Sequence, residues 1–281
     1  MKKSLLVTLA LSLVLVAAGC SKTTENTTEE VATEVEDATE AVEEDAAEAE
    51  DTAEADTAEA ENAATAEGVM SYADYVAAAV DTEVCVETYV QAKQAWWEDN
   101  GVGQATFYTQ NQDGAFFVYN LPCSQEDYDK LVPGTKIKVT GFKSEWSGEV
   151  EITDATYEIE DTDTFVADAK DVTDLLGKDE LIDYQNQFVS FKGMTVEAAN
   201  DAGDAFLYKW DGSGTEGDDL YFNVSLDGNT YTFTVESYLC DKDSDVYKAV
   251  QNLKVGDVVD MEGFLYWYEG VNPHITSVSV Q

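Results

Sequence analysis

Two stretches of this chain decide its fold, because they repeat each other at an offset of 122 residues. The first reads Leu131-Val132-Pro133-Gly134-Thr135-Lys136-Ile137-Lys138-Val139-Thr140-Gly141-Phe142, and the second reads Leu253-Lys254-Val255-Gly256-Asp257-Val258-Val259-Asp260-Met261-Glu262-Gly263-Phe264. Self-similarity at a fixed distance indicates that one structural unit occurs twice. Within the first copy, apolar and Lys residues alternate from 136 to 139, which predicts a half-buried strand.

The same order of elements extends outward from both copies. We predict strands over 84–94, 104–110 and 114–120, a helix over 124–132, and strands over 135–142 and 149–159. The second copy predicts strands over 187–198, 204–210 and 219–237, a helix over 241–253, and strands over 256–265 and 271–280. Asp227-Gly228 lies between two β-rich runs and predicts a hairpin that enlarges the second unit by a strand pair.

Five strands with a helix between the third and the fourth are the layout of the OB-fold, a small Greek-key barrel. The sequence therefore predicts a mainly β protein with two tandem OB-fold-like barrels, each with a short helix between strands 3 and 4.

The N-terminus has the form of an export signal. Lys2 and Lys3 precede an apolar stretch over 5–16, and Ala17-Ala18-Gly19-Cys20 follows. A Cys directly after small residues resembles the lipobox of bacterial lipoproteins, although Ala17 stands where that family usually has Leu or Val. The resemblance implies that Cys20 is diacylated and becomes the mature N-terminus. The alternative is an ordinary secretory signal with an incidental Cys.

The whole chain resembles exported bacterial lipoproteins that contain OB-like modules. This resemblance implies a lipid-anchored protein on the extracytoplasmic face of the cell membrane, and it implies no particular activity. The predicted organisation is a signal peptide (1–19), the lipidated Cys with an acidic spacer (20–70), a lead-in helix (71–83), a first OB-like domain (84–160), a helical linker (161–186) and a second OB-like domain (187–281).

The predicted spacer differs in composition from the rest of the chain. Residues 21–70 contain 18 acidic residues, one Lys and no aromatic residue. Such a segment cannot bury enough apolar surface to offset its ordering entropy, so we predict a disordered tether. A frayed helix and an acidic tail that binds a partner remain alternatives.

The charge of the chain disfavours nucleic acid as a partner. The 281 residues include 58 acidic residues against 15 basic ones, all of them Lys, and the net charge is −43. Phosphate backbones are bound by clustered Lys and Arg. Lys136, Lys138 and Lys143 are the only local basic group, and we interpret them as a solvent face of one strand.

Aromatic residues in the predicted loops are the candidate ligand-binding residues. OB-folds bind oligonucleotides and oligosaccharides on the face of strands 2–3, framed by the loops after strands 1 and 4. Tyr208 and Trp210 fall on the predicted second strand of the second unit. The alternative is that loop aromatics close the barrel ends or join the two units. The loop candidates are Trp96, Trp97, Trp146, Tyr266, Trp267 and Tyr268.

Two acidic segments and three cysteines allow weaker hypotheses. Asp241, Asp243 and Asp245 have the spacing of the first ligands of a Ca²⁺ loop, but Val246 stands where such a loop needs Gly. A second acidic loop covers 211–219 without matching the motif, so we predict no cofactor, with Ca²⁺ as the weak alternative. Cys85 and Cys123 could form a disulfide in an exported protein or remain free thiols.

No catalytic constellation is visible in the sequence. His274 is the only His, so neither a Cys–His nor a Ser–His–Asp arrangement can draw on another. We predict a non-catalytic binding or scaffolding module whose ligand is an oligosaccharide or an envelope protein. The alternatives are a nucleic-acid-binding OB-fold protein and a carboxylate-dependent hydrolase, since carboxylate pairs are numerous.

Overall fold

The computed structural model describes residues 68–281, and the predicted signal peptide, Cys20 and most of the spacer lie outside this range. The described part begins with a short helix, α1 (Tyr72–Ala77). Ser71 starts this helix, because its hydroxyl accepts a hydrogen bond from the backbone N–H of Asp74 at 3.1 Å. Among residues 68–281, no helix has the length and apolar character needed to cross a membrane.

The first barrel is closed by five of its strands. β1 pairs with both β3 and β5, β3 pairs with β4, and β4 runs parallel to β6, which pairs with β5. This is the strand order of an OB-fold, and a helix connects the third strand of the barrel to the fourth. The elements are β1 (Glu83–Lys93), β2 (Trp97–Asp99), β3 (Val102–Gln110), β4 (Ala115–Pro122), α2 (Gln125–Lys130), β5 (Thr135–Trp146) and β6 (Glu149–Thr164).

The second barrel repeats this closure. β8 pairs with β10 and β12, β10 with β11, and β11 runs parallel to β13, which pairs with β12. Two 3₁₀ helices, Thr173–Leu175 and Asp179–Tyr184, lie between the barrels in sequence. The elements are β7 (Lys170–Asp171), β8 (Phe188–Glu197), β9 (Leu207–Tyr208), β10 (Leu220–Leu226), β11 (Asn229–Val235), α3 (Asp245–Gln251), β12 (Val258–Phe264) and β13 (His274–Val280).

The prediction of a mainly β protein with two tandem OB-folds is therefore confirmed. The repeated Gly explains why the motif recurs in both barrels. A Cβ on Gly141 would lie 2.7 Å from the backbone oxygen of Thr153, and a Cβ on Gly263 would overlap the backbone oxygen of His274. In each barrel the fourth strand thus approaches the fifth so closely that only Gly fits.

The prediction for the second and third strands of the second barrel was wrong. Asp227-Gly228 is the turn between β10 and β11, which are themselves strands 2 and 3, so the unit has no additional strand pair. Residues 204–210 form only the two-residue strand β9 at the edge of β10. The Asn200 side chain accepts hydrogen bonds from the backbone N–H groups of Ala202 and Asp204, which holds the preceding segment in a turn.

The interpretation of Lys143 as a solvent-facing residue was also wrong. Lys143 shares the inward side of β5 with Ile137 and Val139, and it is buried. Its Nζ donates hydrogen bonds to the carbonyl oxygens of Tyr75, Val76 and Ala78 at 3.0, 2.9 and 2.7 Å. A buried ammonium group thus caps the C-terminal end of α1 and fixes that helix to the first barrel.

We expect Lys143→Met to release α1 from the barrel. The substitution leaves three helix-terminal carbonyls without a donor, which we expect to lower the free energy of unfolding by about 2 kcal/mol. Amide hydrogen exchange at Tyr75 and Ala78 is the direct measurement, with Lys138→Met on the outer side of β5 as the matched control. Unchanged protection of α1 in Lys143→Met would contradict this role.

Candidate ligand-binding site

Aromatic residues join the two barrels. Tyr108 and Phe117 project from the outer face of β3 and β4 and pack against Phe264 and Tyr266 of the second barrel. The ring of Tyr108 stacks on Phe264 at 4.4 Å between centroids, and Phe117 meets Tyr266 edge-on at 5.4 Å. The second barrel therefore packs on the strand 2–3 face of the first barrel, where an OB-fold usually binds its ligand, and covers the part of it around Tyr108 and Phe117.

Polar contacts surround this aromatic interface. The backbone N–H of Phe188 donates to Oε1 of Gln110 at 2.8 Å, and that of Ala95 donates to the carbonyl oxygen of Tyr238 at 2.8 Å. Gln94 Nε2 lies 2.9 Å from each carboxyl oxygen of Glu236. Because backbone and side-chain groups of both barrels take part, the interface holds the barrels in one fixed arrangement.

The six loop aromatics named from the sequence lie in different places. Trp96 packs into the core of the first barrel, and its Nε1 donates to the carbonyl oxygen of Cys123 at 3.0 Å. Trp146 and Tyr268 meet at 5.1 Å between ring centroids, where the strand 4–5 loops of the two barrels touch. Trp267 packs on the second core and over Gly148, while Trp97 and Tyr266 line a cleft between the barrels.

The strand 2–3 face of the second barrel is open and forms a groove of about 390 Å³. Trp210, with 76% of its surface exposed, and Tyr268, with 44% exposed, both line this groove. Trp146 extends the aromatic surface beyond Tyr268. The lining residues of the groove are Ala199, Leu207, Trp210, Tyr221, Asn223, Thr232, Tyr268, Val271 and Asn272.

Side chains along β10 point alternately into the core and outward, and the outward ones line the groove. Leu220, Phe222 and Val224 point into the core, so Tyr221 and Asn223 point out. Thr232 of β11 lies opposite Asn223 in the ladder, and its hydroxyl donates to Asn223 Oδ1 at 2.8 Å. This hydrogen bond holds two polar side chains side by side in the lining of the groove.

Two turns position the residues at its edges. Trp210 follows Lys209 in a turn that is closed by a hydrogen bond from Gly212 N–H to the Lys209 carbonyl oxygen at 3.1 Å. Asn272 is held by its own N–H, which donates to the Tyr266 carbonyl oxygen, and by Thr234, whose hydroxyl donates to Asn272 Oδ1 at 2.8 Å. The edges of the groove are thus fixed by hydrogen bonds to the surrounding loops.

The chemistry of the groove is aromatic and neutral. Its nine lining residues include three aromatic rings, two of them exposed, two side-chain amides and the hydroxyls of one Thr and two Tyr, and none of them is Lys, Asp or Glu. Rings stack on flat apolar faces, while amides and hydroxyls exchange hydrogen bonds with a polar ligand. Trp210 was recognisable from the sequence, whereas Tyr221 and Asn223 were not among the candidate residues, although the period-two alternation of 220–224 could have identified them.

In the two acidic segments, Asp side chains accept hydrogen bonds from nearby backbone N–H groups. Asp241 Oδ1 accepts from the Asp243 N–H at 2.9 Å, Ser244 starts α3, and Asp245 lies in its first turn. In the 211–219 loop, Asp211 accepts from Ser213 N–H and Asp218 from Thr215 N–H. Within residues 68–281, no three His, Cys, Asp or Glu side chains are grouped so that they could hold a metal ion.

The described cysteines carry free thiols. Cys85, Cys123 and Cys240 form no disulfide with one another. Burial raises the pKa of Cys123 to about 11 and that of Cys240 to about 12, so both thiols stay protonated at neutral pH. Cys123 and Cys240 each pack against the core of their own barrel, which fits a structural role.

Comparison with known proteins gives distant structural likenesses. No protein-family profile and no curated protein matches the chain. A murine DNA-binding protein solved with double-stranded DNA is 11% identical over 70% of this chain and 94% of its own, with a TM-score of 0.33. The p204 HINb domain is 11% identical over 72% and 97%, with a TM-score of 0.32. A replication protein A heterotrimer bound to single-stranded DNA is 13% identical over 71% and 49%, with a TM-score of 0.31.

Proposed function

We propose that this protein is a lipid-anchored binding module at the extracytoplasmic face of the cell membrane, and that its second barrel holds an extended oligosaccharide without cleaving it. The observation that carries the proposal is the open strand 2–3 face of the second barrel. There Trp210, Tyr268, Asn223 and Thr232 line one groove, whereas the second barrel packs on the corresponding face of the first barrel.

An oligosaccharide fits the electrostatics better than a nucleic acid does. Single strands bind to OB-folds through a positively charged groove as well as through aromatic stacking. This groove has no Lys in its lining, and the adjacent Lys209 lies 3.6 Å from a carboxyl oxygen of Asp218. Residues 71–281 contain 12 Lys against 40 acidic residues, so a phosphate backbone meets repulsion at every approach.

The lining of the groove favours binding over hydrolysis. Glycoside hydrolysis in most families needs two carboxyl groups on either side of the scissile bond. No Asp or Glu is among the nine lining residues of the groove. Its aromatic, amide and hydroxyl groups can hold a sugar and offer no acid–base pair to cleave it.

The proposal is tested by an array that displays glycans and single-stranded DNA. We expect the full chain to bind one class of glycan, and Trp210→Ala to weaken that binding at least about fivefold, because stacking on one exposed ring contributes about 1–3 kcal/mol. Tyr238→Ala is the matched control, since Tyr238 is an exposed aromatic outside the groove.

Two results would contradict the proposal. Salt-sensitive binding to DNA would overturn the electrostatic argument. A blank glycan array would leave an envelope protein as the ligand of this surface, and capture of that protein from intact envelopes should then depend on Trp210.

The lipid anchor has a separate test. We expect Cys20→Ala to move the protein from the membrane fraction to the soluble fraction, because stable attachment needs two acyl chains and the substitution removes the acylated sulfur. Fractionation and mass spectrometry of the mature N-terminus measure this. Retention of Cys20→Ala in membranes would show that another segment attaches the protein.

A further inference from the structure

A second cleft lies between the two barrels, apart from the groove. Its volume is about 590 Å³, within the range of small-molecule sites. The first barrel contributes the end of β1, Trp97 of β2 and the outer face of β4, and the second contributes residues after β11, Tyr266 and His274. The lining residues are Gln94, Ala95, Trp97, Phe117, Tyr119, Asn120, Glu236, Tyr238, Tyr266 and His274.

Aromatic rings form the walls and the mouth of this cleft. Trp97, Tyr119 and Tyr238 are exposed, and Tyr238 is 67% accessible. Deeper in the cleft, the ring of Tyr266 stacks on His274 at 4.2 Å and meets Phe117 at 5.4 Å. An aromatic face attracts a cation through its quadrupole, and several rings around one space form a cage for an ammonium group.

Glu236 supplies a buried carboxyl group in the same space. Gln94 Nε2 lies 2.9 Å from both of its oxygens, and His274 Nδ1 lies 3.5 Å from Oε2. Burial lowers the pKa of His274 to about 3, and its Nδ1 lies 2.6 Å from the Tyr108 hydroxyl, so His274 is neutral. No Lys is among the lining residues, and within residues 68–281 the only ion-pair partner of Glu236 is the neutral His274.

We propose that the cleft between the barrels binds a small organic ammonium ion, with Glu236 as its counter-charge and with Trp97, Tyr119, Tyr238 and Tyr266 as its aromatic cage. A buried carboxyl group without a cationic partner keeps its proton, and a ligand cation supplies the partner that lets it ionise. This site is separate from the oligosaccharide groove, because the two linings share no residue.

The test compares two ligands of the same shape. Calorimetry of the full chain with choline and with its neutral isostere 3,3-dimethylbutan-1-ol isolates the contribution of the charge. We expect choline to bind at least about tenfold more tightly than the isostere, since both the carboxylate and the rings act on the charge. No choline binding, or equal binding of the two ligands, would overturn the proposal.

Three variants locate the site. Glu236→Gln keeps the side-chain size and removes the charge, so we expect choline affinity to fall at least about tenfold. Trp97→Ala removes one exposed wall of the cage, and we expect a loss of roughly threefold to tenfold. Trp210→Ala should leave choline affinity unchanged, which separates this site from the groove. Unaltered choline affinity in both Glu236→Gln and Trp97→Ala would place the binding elsewhere and overturn the assignment.

The pH dependence of choline affinity tests the role of Glu236 without a substitution. Burial raises the pKa of Glu236 to about 8, so the cation must displace a proton when it binds below that pH. We therefore expect choline affinity to rise roughly tenfold from pH 6 to pH 7. A flat profile would contradict the role of Glu236. The titratable groups around this carboxyl are Tyr108, Asp219, Tyr221, Cys240, Tyr266 and His274.

Discussion

Phe264→Ala is expected to lower the free energy of unfolding by about 3–5 kcal/mol, the range for removing a large aromatic side chain from a core. Phe264 is 3% exposed and lies between the barrels, with ring centroids 4.4 Å from Tyr108 and 5.3 Å from Phe188. Its removal leaves a cavity where the outer face of β3 meets the second barrel. Chemical denaturation measures the loss.

The repeat provides the matched control for this prediction. Phe142 occupies the position in the first barrel that Phe264 occupies in the second, since each follows the repeated Gly. Phe142 is 43% exposed and lies outside the three buried clusters. We expect Phe142→Ala to lower stability by less than about 1 kcal/mol. Equal losses in the two variants would mean that the barrels do not depend on the aromatic interface.

Raising the pH from 6.5 to 8 is expected to reduce stability by on the order of 4 kcal/mol, because three buried carboxyl groups must then ionise. Burial raises the pKa of Glu149 and of Glu236 to about 8 and that of Glu151 to about 7. Each folded-state pKa exceeds the ordinary value of 4.5, so the folded protein holds more protons than the unfolded chain. Stability from these groups is complete below pH 4.5 and is lost as pH rises through 7 to 8.

Burial is the main reason that Glu149 retains its proton, and it outweighs the hydrogen bonds that favour the ionised form. Its Oε2 accepts hydrogen bonds from Trp267 N–H at 2.9 Å and Gln185 Nε2 at 3.3 Å. Within residues 68–281, the other carboxyl oxygen, Oε1, is buried without a hydrogen-bond partner. A negative charge on this carboxyl group would be buried with no partner at that oxygen, which favours the protonated form.

The carboxyl groups and His274 change the stability over different pH ranges. Burial lowers the pKa of His274 from 6.5 to about 3, so its contribution to stability is lost as pH falls through that range and is constant above it. Unfolding by denaturant at pH 6.5, 7.2 and 8 therefore reports the carboxyl groups. We expect Glu149→Gln to flatten the profile, whereas Glu98→Gln on the exposed strand β2 should not. A profile in Glu149→Gln that is as steep as in the wild type would exclude Glu149 as a source of the effect.

The repeat was enough to predict the fold, because its Gly–Phe pairs and the helix before strand 4 depend on local geometry within each barrel. The error over 204–210 arose because aromatic content alone suggested a strand there. A turn at Asn200 precedes this segment, and the second and third strands of the barrel are β10 and β11, which the hairpin at Asp227-Gly228 joins. The error at Lys143 was avoidable, since it has the same parity along β5 as the buried Ile137 and Val139.

The arrangement of the barrels could not be predicted from the sequence. Tyr108 and Phe117 alternate with core residues, so the strand pattern predicts that they face solvent. In the structure the second barrel covers them. The period-two pattern of a strand shows which side chains point out of a barrel. It does not show which other part of the protein they contact. This is why the loop aromatics named from the sequence divide among a core, an interface, a cleft and a groove.

The central claim, that the second barrel binds its ligand on the open strand 2–3 face, is tested most directly by nuclear magnetic resonance of the Trp indoles. The chain has five Trp residues, so the indole N–H signals can be assigned by single Trp→Phe substitutions. During titration with the glycan selected on the array, we predict that Trp210 shifts most and Trp146 less, while Trp96, which is hydrogen-bonded inside the first barrel, does not move. A titration that shifts Trp97 and leaves Trp210 unchanged would contradict the claim.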